Sequence, residues 1–418
     1  MLRYRRIIRW AGSLAEAAKA RRIWKRQNNR THAACFAYES EYQPDRDYSK
    51  RQVRIRAVAF YLPQFHTFPE NDAWWGKGFT EWSNTETCTA RFPGHYQPRR
   101  PHPDIGFYDL QTPEAMQRQI RLAQKHRLYG FCFYYYWFSG KALMQKPLEI
   151  FLKHPEWKLH FCLCWANENF TRTWDGAEQE ILMKQEYQAS DPEHFISSLK
   201  KYMQDPRYIR IGGKPVLLIY HMGSIPNLKK TIRKWREEAK RQGIGEIRIW
   251  MCRTYQNTAR RLGVEAQIDA EVEFPPHNMW WPVIRESRHG CQDANVFSYP
   301  KLADIVTTGI QRAGKSAGKK DRRRHPLYRT CMMGWDNACR RQKGWTVYYG
   351  YSLKLFDQWL RAIVQEAERK RPQQRMFFVN AWNEWGEGTY LEPDETYGYA
   401  NINTLSENIC RGRKEEIR

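Results

Sequence analysis

The sequence predicts an α/β fold, a (β/α)₈ barrel of the TIM type with long loops after strands 1 and 6 and a basic N-terminal extension. Eight short apolar runs alternate with stretches of helical periodicity from about residue 55 onward. Nearly continuous apolar runs of this kind are typical of parallel strands that helices cover on both faces. The main rival is a doubly wound sheet, which would normally carry a glycine-rich phosphate turn after its first strand. No GxGxxG motif follows the first run, so we favour the barrel.

The predicted elements alternate regularly along the chain. The first helix begins with Pro113, a residue that suits the first turn of a helix. The predicted strands are Ala57–Leu62, Tyr129–Tyr135, Leu159–Trp165, Val216–Tyr220, Ile247–Met251, Ala266–Val272, Tyr328–Met332 and Met376–Ala381. The predicted helices are Pro113–Arg127, Pro192–Met203, Leu228–Gln242, Asn257–Leu262, Lys301–Arg312 and Leu353–Arg369.

Composition and charge exclude several classes of protein. Aromatic residues make up 15% of the 418 residues, far more than a disordered chain would contain. The mean hydropathy is −0.82, and no apolar run approaches the 18 residues that a membrane-spanning helix needs. The net charge of +24 favours anionic partners such as nucleic acid, acidic lipid, phosphorylated substrates or acidic glycans.

The charge pattern divides the chain into three parts. Residues 1–54 form a basic, partly helical extension with a linker, residues 55–400 form the catalytic barrel, and residues 401–418 form a C-terminal tail. The first 30 residues hold ten Lys or Arg with Glu16 as the single acidic residue. This segment predicts either a helix lying on an anionic membrane or a solvated basic tail. It lacks the apolar core of a secretory signal, and Cys132, Cys162 and Cys164 lie in apolar runs typical of buried thiols. We therefore expect a cytoplasmic protein, peripheral on the inner face of the plasma membrane if the extension binds lipid.

The sharpest chemical signal is a pair of carboxylates after the last predicted strand. Glu384 and Glu387 lie three residues apart in the segment NEWGEG, with Gly386 and Gly388 on either side of Glu387. Such a pair allows one carboxyl group to stay protonated as a general acid while the other is ionised. Cleavage and formation of glycosidic bonds need this division of labour. The alternative is that either glutamate merely pairs with an arginine or caps a turn.

Polar and aromatic residues at the other strand ends predict a carbohydrate-binding floor. In a barrel the carboxyl ends of all strands share the face on which active sites are built. Sugars present apolar faces and hydroxyl edges, which aromatic rings and Asn, Asp or Glu side chains bind together. The histidines form no HxH or HExxH motif, so we expect no metal and no cofactor. The predicted substrate-binding residues are Gln64, His66, Trp75, Glu81, Trp82, Tyr136, Trp137, Trp165, Asn167, Glu168, Arg172, Trp174, His221, Arg253, Glu273, His277, Trp335, Asp336, Asn383 and Trp385.

Seven segments stand in order along the chain: FYLPQFHTFPENDAWWGKGFTEW (60–82), GFYDL (106–110), FCFYYYWFSGK (131–141), CLCWANENFTRTWDG (162–176), EVEFPPH (271–277), GWDN (334–337) and NAWNEWGEGTYLEPD (380–394). Together they resemble the WbsX-type glycosyltransferase family, which is also described as glycoside hydrolase family 99-like. The resemblance runs from about residue 56 to residue 400. That family is associated with bacterial O-antigen and surface polysaccharide gene clusters.

The resemblance implies a mechanism for the two glutamates. Family 99 endo-α-mannosidases are metal-independent (β/α)₈ barrels that retain anomeric configuration, and their Glu-Trp-x-Glu motif corresponds to residues 384–387 here. Glu384 would then act as a base on the 2-hydroxyl of the sugar, giving an epoxide-like intermediate, and Glu387 would be the acid/base at the glycosidic oxygen. The sequence departs from those enzymes at Gly386, where they carry histidine.

The resemblance leaves the type of reaction open. We expect a glycosyltransferase of lipopolysaccharide or capsule biosynthesis that takes a nucleotide-sugar donor and a lipid-linked or oligosaccharide acceptor. Arg172 and Arg253 are candidates for stabilising a diphosphate leaving group. The first alternative is a retaining family 99-like endo-glycosidase, since the predicted barrel, residues 55–400, shows no DxD motif and no glycine-rich nucleotide loop. A further alternative is a non-enzymatic barrel that binds glycans or nucleic acid, but no nucleic-acid-binding motif is present.

Overall fold

The structure, a computed structural model, describes residues 42–172, 177–254, 257–279, 294–315 and 325–410. Strands and helices alternate along most of this length, as the apolar periodicity predicts. The strands are β1 Arg56–Tyr61, β2 Gly130–Phe138, β3 Lys141–Leu143, β4 His160–Trp165, β5 Phe170–Arg172, β6 Ala177–Met183, β7 Arg210–Ile211, β8 Lys214–Ile219, β9 Arg248–Arg253, β10 Ala270–Glu273, β11 Ala294–Ser298, β12 Leu327–Tyr328, β13 Thr330–Met332, β14 Trp335–Asp336, β15 Trp345–Tyr349, β16 Met376–Asn380, β17 Asn383–Glu384 and β18 Thr389–Tyr390.

Local sequence explains where many of the helices begin. Thr80, Thr258 and Ser352 cap helix N-termini with their side-chain oxygens, and proline occupies the first turn of five helices. The α-helices are α1 Pro69–Trp75, α2 Glu81–Thr87, α3 Pro113–Lys125, α4 Lys146–Lys153, α5 Asp191–Met203, α6 Leu228–Arg241, α7 Ala259–Leu262, α8 Tyr299–Lys315, α9 Leu353–Glu368 and α10 Ala400–Cys410. Short 3₁₀ turns cover Met222–Ser224, Pro372–Gln374 and Trp385–Glu387.

The main sheet is a nearly closed barrel of parallel strands, which confirms the predicted fold class. Its strand order is β12-β10-β9-β8-β4-β2-β1-β16-β13, and each neighbouring pair is parallel. The two outermost strands, β12 and β13, are consecutive pieces of the predicted seventh strand. One piece pairs with β10 and the other with β16, so the segment joins the two edges of the sheet.

The seventh and sixth strands differ from their predicted bounds. Arg329 interrupts the seventh strand and donates hydrogen bonds to Glu273 and Glu366. The sixth strand is shorter than predicted, since it covers Ala270–Glu273 rather than residues 266–272. A short helix, α7, precedes this strand, and Val264 and Ile268 between them are buried in the core without strand pairing. Apolar periodicity alone did not distinguish such a loop from a strand.

Aromatic side chains fill the barrel interior. The ring of Phe60 on β1 stacks at 5.8 Å from Tyr134 on β2 and at 5.4 Å from Phe378 on β16. It also meets Phe274 edge to face at 4.8 Å. Offset and edge-to-face contacts at these centroid distances are favourable beyond the area that the rings bury. The interior of the barrel is therefore a packed aromatic core.

Additional elements in the loops surround that mouth. The loop after β1 contains α1 and α2, as its predicted length allows. The loop after β4 contains the antiparallel hairpin β5–β6, and a separate three-stranded sheet has the order β11-β15-β14. The apolar pattern of the sequence did not predict this small sheet. It matters for function because the connection between β14 and β15 contains residues 337–344.

Two segments at the ends of the barrel are more ordered than the sequence suggested. Residues 42–54, interpreted as linker, lie along the barrel: the backbone N–H of Gln43 bonds to Tyr397, that of Arg54 bonds to Ile409, and Tyr48 is buried. The predicted tail begins with α10, whose residues are almost all buried, because its apolar side chains pack against α9. Only residues 411–418 of that tail, and residues 1–41 of the extension, lie outside the described part. Within the described ranges, no helix combines the length and apolarity needed to cross a bilayer.

Candidate active site

A cavity of about 430 Å³ opens at the carboxyl ends of the barrel strands. Its wall includes residues that end or follow β1, β2, β4, β8, β10 and β16, which is the face where barrel enzymes place their catalytic groups. Aromatic rings make up much of the lining. The aromatic residues are Tyr134, Tyr136, Phe170, Tyr220, Phe274, Phe297, Trp335 and Tyr348.

Glu384 and Glu387 line this cavity together. Glu384 ends β17, and Glu387 ends the 3₁₀ turn that joins β17 to β18. Asn383 fixes the turn to the first barrel strand, because its side chain accepts from the backbone N–H of Leu62 at 2.8 Å and donates to the Leu62 carbonyl at 3.0 Å. Gly388 follows in the left-handed region at φ 61°, where glycine is favoured. The hairpin therefore directs both carboxylates into the same space.

Arg340 bridges the two glutamates. Its Nη1 lies 2.7 Å from Oε1 of Glu387, and its Nη2 lies 2.9 Å from Oε2 of Glu384. The same guanidinium contacts Glu81 on α2, with Nη2 2.6 Å and Nε 2.8 Å from Oε1. Three carboxylates thus share one cation in a largely buried cluster. We call Glu81, Arg340, Glu384 and Glu387 the floor cluster.

Burial dominates the ionisation of the floor cluster. Burial, reinforced by the charge of Glu384, raises the pKa of Glu387 to about 8. Burial also raises the pKa of Glu81 to about 7 and that of Glu384 above its usual value, although Arg340 opposes both shifts. Burial alone would lower the pKa of Arg340, but the three carboxylates outweigh it and hold that pKa well above its usual value. At neutral pH the cluster therefore retains at least one carboxyl proton, which the pKa values place on Glu387.

Other polar groups on the wall have the properties of ligand-binding groups. The side-chain nitrogen of Gln64 is buried at the cavity and meets no hydrogen-bond partner among the described residues. Burial raises the pKa of Glu168 to about 7, and a ring nitrogen of His221 lies 3.5 Å from its carboxylate. His277 accepts from or donates to Tyr220 at 2.7 Å, and burial followed by Arg341 lowers its pKa to about 4. His277 is therefore neutral at physiological pH.

The structure brings part of the predicted set of site residues to this cavity. Glu81 and His221 do not line the cavity, but each contacts a residue that does. Glu81 contacts Arg340, and His221 contacts Glu168. The side chain of Arg172 and all of Trp174 lie outside the described part of the chain. The predicted residues on the cavity wall are Gln64, Tyr136, Glu168, His277, Trp335, Glu384 and Glu387.

Six predicted binding residues lie in the core around the site. Each is buried and has a partner within the protein instead of facing the cavity: Trp82 donates to the Tyr108 carbonyl, and Trp165 donates to the Trp137 carbonyl. Asn167 bonds to both the N–H and the carbonyl of His221. The six residues are Trp82, Trp137, Trp165, Asn167, Asn383 and Trp385.

Five other predicted residues lie away from the cavity. Arg253 pairs with Glu271 at 2.6 Å, and Glu273 pairs with Arg329 at 2.6 Å, because both strand ends direct these side chains towards the surrounding helices and loops. Asp336 bonds to His95 at 2.8 Å in the core of the loop region. Trp75 stacks on Phe79. His66 is buried beside Phe68, and burial lowers its pKa to about 4.

Sequence reasoning missed Arg340, the cation at the centre of the floor cluster. It lies four residues after Asp336, in the loop that follows the seventh barrel strand. Its position after the seventh barrel strand could have marked it as a site residue, because three acidic side chains near one pocket need a cation to compensate their charge. Among the described residues, no group of three His, Cys, Asp or Glu side chains has the arrangement of a metal site.

Comparison with solved structures identifies relatives of the fold. A glycoside hydrolase-like protein superposes with a TM-score of 0.55 at 13% identity, covering 88% of this chain and 98% of that one. The GH99 endo-α-mannosidase from Bacteroides thetaiotaomicron superposes with a TM-score of 0.50 at 12% identity, covering 85% of this chain and 96% of that one. At these identities the likeness establishes the barrel fold alone.

Comparison with known sequences defines the family. Two proteins described as uncharacterized protein WxcX, from two strains of Xanthomonas campestris pv. campestris, are each 41% identical over 85% of this chain. The chain spans about half the length of these relatives, since the alignments cover 49% of each. The family model for glycosyltransferase WbsX matches residues 57–405, from the first barrel strand to the last helix. The chain therefore belongs to the WbsX glycosyltransferase family.

Proposed function

We propose that the cavity transfers a glycosyl group from an activated donor to a glycan acceptor with retention of anomeric configuration, using Glu384 and Glu387. The observation that carries the proposal is that both carboxylates line one sugar-sized cavity and contact the same guanidinium. The aromatic wall supports a carbohydrate substrate, because aromatic rings bind the apolar faces of sugars.

The protonation of the two glutamates suits complementary roles. The raised pKa of Glu387, about 8, leaves it protonated at neutral pH, as a general acid requires. Arg340 opposes the effect of burial on Glu384 and favours its ionised form, as a base requires. Environments that separate the ionisation of two neighbouring carboxyl groups are typical of acid and base assignments.

The proposed reaction has two balanced steps. Glu384 takes the proton of the donor's 2-hydroxyl while that oxygen bonds to C1, and the C1–leaving-group bond breaks. Glu387 supplies a proton to a leaving group that needs one. The oxygen of the acceptor hydroxyl then attacks C1, and the C1–O2 bond breaks as Glu384 returns the proton to O2. The proton of the acceptor hydroxyl goes to Glu387 if Glu387 has protonated the leaving group, and otherwise to water. Two inversions at C1 give net retention.

We propose a nucleotide-sugar donor and a lipid-linked or oligosaccharide acceptor in the synthesis of a bacterial surface polysaccharide such as O-antigen or capsule. Family membership supports a sugar donor and a glycan acceptor. The net charge of +24 supports an anionic donor and a reaction on the cytoplasmic face of an anionic membrane, with residues 1–30 as the contact.

Endo-glycoside hydrolysis is the second candidate, and the state of Glu387 favours it. A sugar leaving group needs a proton, which a carboxyl group with a pKa of about 8 can supply, whereas a nucleoside diphosphate can depart without one. In this reaction water replaces the acceptor in the second step. The two candidates share the same catalytic residues and differ in donor and acceptor.

The test combines donor screening with paired variants. Wild-type protein is incubated with GDP-, UDP-, CMP- and dTDP-sugars plus oligosaccharide acceptors, and separately with α-mannosides, and products are identified by mass spectrometry and NMR. With the donor class that reacts, Glu384→Gln should lower turnover by about 10²–10⁴-fold, and Glu387→Gln should do so wherever the leaving group needs a proton. Glu246→Gln, an exposed carboxylate that pairs with Lys214, is the matched control and should keep wild-type turnover.

Two results would overturn the proposal. Wild-type turnover in both Glu384→Gln and Glu387→Gln would exclude a catalytic role for the two glutamates. An inverted anomeric configuration in the product would exclude the retaining mechanism. Reaction with mannosides and no nucleotide sugar would replace transfer by hydrolysis.

A further inference from the structure

Glu81 and Arg340 are the two members of the floor cluster to which the proposed reaction assigns no proton transfer. Glu81 is the first residue of α2, and its side chain is completely buried. Arg340 lies between β14 and β15, on a different part of the chain. Their contact joins two loops across the bottom of the cavity, directly beside Glu384 and Glu387.

Gly386 leaves the space in which this contact forms. A Cβ atom at this position would overlap Oε1 of Glu81 and would lie 2.8 Å from Nε of Arg340. Any side chain at residue 386 would therefore displace the carboxylate of Glu81 from the guanidinium. The resemblance to family 99 marked Gly386 as a departure, and the structure gives it a physical reason in this chain.

The charges of the floor cluster cannot balance without retained protons. One guanidinium compensates one carboxylate fully, and each additional buried carboxylate charge is costly unless it is paired. Arg340 contacts all three carboxylates at 2.6–2.9 Å, so ionisation of any one of them changes the electrostatic energy of the other two. Glu81 therefore competes with Glu384 and Glu387 for the same positive charge.

We infer that Glu81 and Arg340 are positioning residues: Glu81 orients the guanidinium and favours the proton on Glu387, and Arg340 favours the charge on Glu384. The inference rests on the proposed function, because it assigns a purpose to that division of charge. Arg340 stabilises the charge of Glu384 directly. When Glu81 is ionised, its negative charge draws on the same guanidinium and repels a second charge at Glu387, so it favours the proton there.

Other ionisable groups face the floor cluster from every side of the cavity. The pKa of Glu168, about 7, lies close to that of Glu387, about 8, so the titration of Glu168 must be distinguished from that of the floor cluster. His277 stays neutral above about pH 4, and burial raises the pKa values of Tyr134, Tyr136 and Tyr348, so these residues do not change charge near pH 7. The groups on the wall are Tyr134, Tyr136, Glu168, Tyr220, His277, Arg341 and Tyr348.

The inference is tested by NMR titration of the full chain labelled with [δ-¹³C]glutamate, which requires no substrate. The signals of Glu81, Glu168, Glu384 and Glu387 are assigned by their loss in the corresponding Gln variants. Glu81→Gln should lower the titration midpoint of Glu387 by about one pH unit, because a negative neighbour is removed. Arg340→Met should raise the midpoints of Glu384 and Glu387, because a positive neighbour is removed. Arg340→Lys keeps the positive charge, so the midpoints should stay close to those of the wild type, and Glu81→Gln carries the test if the methionine variant does not fold.

Glu273→Gln provides the matched control. Glu273 also lies against a largely buried arginine, Arg329, but outside the cavity, so its replacement should leave the midpoints of Glu384 and Glu387 unchanged. Unchanged or raised midpoints of Glu387 in Glu81→Gln would overturn the inference. The turnover of Glu384→Gln and Glu387→Gln tests the proposed function separately, so either can fail while the other stands.

Discussion

At the scale of single residues, Gly386 is the position where the smallest change has the most specific consequence. We expect Gly386→Ala to destabilise the protein by about 1–3 kcal/mol, the usual cost of added volume in a packed site. The reason is that the new methyl group occupies the place of Oε1 of Glu81, and the displaced carboxylate loses Arg340. Chemical denaturation of the wild type and the variant measures the difference.

A double-mutant cycle separates this mechanism from general strain. Glu81→Ala removes the overlapping atom, so adding Gly386→Ala in that background should cost much less than it costs in the wild type. Gly309→Ala, in a helical position with open space around the added methyl group, is the control and should not destabilise the protein. An equal cost of Gly386→Ala in both backgrounds would contradict the overlap with Glu81.

A site residue could be predicted from sequence when the pattern that indicates it lies within one short segment. Glu384 and Glu387 lie three residues apart after a buried strand, so their proximity is encoded within one short segment. Arg340 is 44 residues from Glu384 and 259 residues from Glu81, and only the folded chain brings these groups together. Trp82 and Trp385 follow the aromatic-rich pattern of a sugar site but are buried, because indole rings next to a cavity also build its supporting core.

At the scale of elements, the hairpin β17–β18 depends on one buried carboxylate. Glu392 accepts hydrogen bonds from both Trp382 and Trp385 on the catalytic segment, at 3.0 and 2.7 Å. It also accepts from Gln119 of α3 and from Tyr108, at 2.8 and 2.9 Å. Four donors on one buried carboxyl group fix the hairpin to a barrel helix. Glu392 therefore holds the catalytic turn in place without facing the cavity.

Glu392→Gln should therefore destabilise the protein and lower turnover together. The amide replaces one acceptor oxygen by a donor, which leaves buried donors facing each other at a cost of about 1–3 kcal/mol. Thermal unfolding and turnover are measured alongside Glu395→Gln, an exposed glutamate three residues away. Wild-type stability of Glu392→Gln would show that the hydrogen bonds to Trp382 and Trp385 do not hold the hairpin.

The same contrast between local and distant signals applies to whole elements. The barrel strands were predictable because each is an apolar run followed by an amphipathic helix, a pattern that repeats along the chain. The small sheet β11-β15-β14 was not, because its strands pair residues 294–298 with residues 345–349 across most of two barrel units. Helix α10 was missed because its sequence, ANINTLSENIC, is rich in Asn, Ser and Thr, which are weak helix formers. Packing against α9 overrides that propensity.

At the scale of the whole molecule, buried carboxyl groups make stability depend on pH in an unusual direction. Burial raises the pKa values of Glu81 and Glu392 to about 7 and that of Glu387 to about 8. In the unfolded chain glutamate has a pKa of about 4.3. Between these values the folded protein holds protons that the unfolded chain has lost, so the free energy of unfolding falls as pH rises. The free energy of unfolding falls until the pH passes the pKa values of these groups in the folded protein, and above that it no longer changes with their titration.

We therefore expect the Tm of the wild type to fall as pH rises from 6.5 to 8, and to change little between 8.5 and 9. Burial lowers the pKa values of His66 and His277 to about 4, so they bear on stability mainly below pH 6.5, where the unfolded chain charges its histidines. Calorimetry at closely spaced pH values measures the slope. Glu387→Gln should flatten it because one titrating group is gone, whereas Glu246→Gln, which is exposed, should leave it unchanged. A Tm that rises with pH over this range would contradict retained protons in the floor cluster and at Glu392.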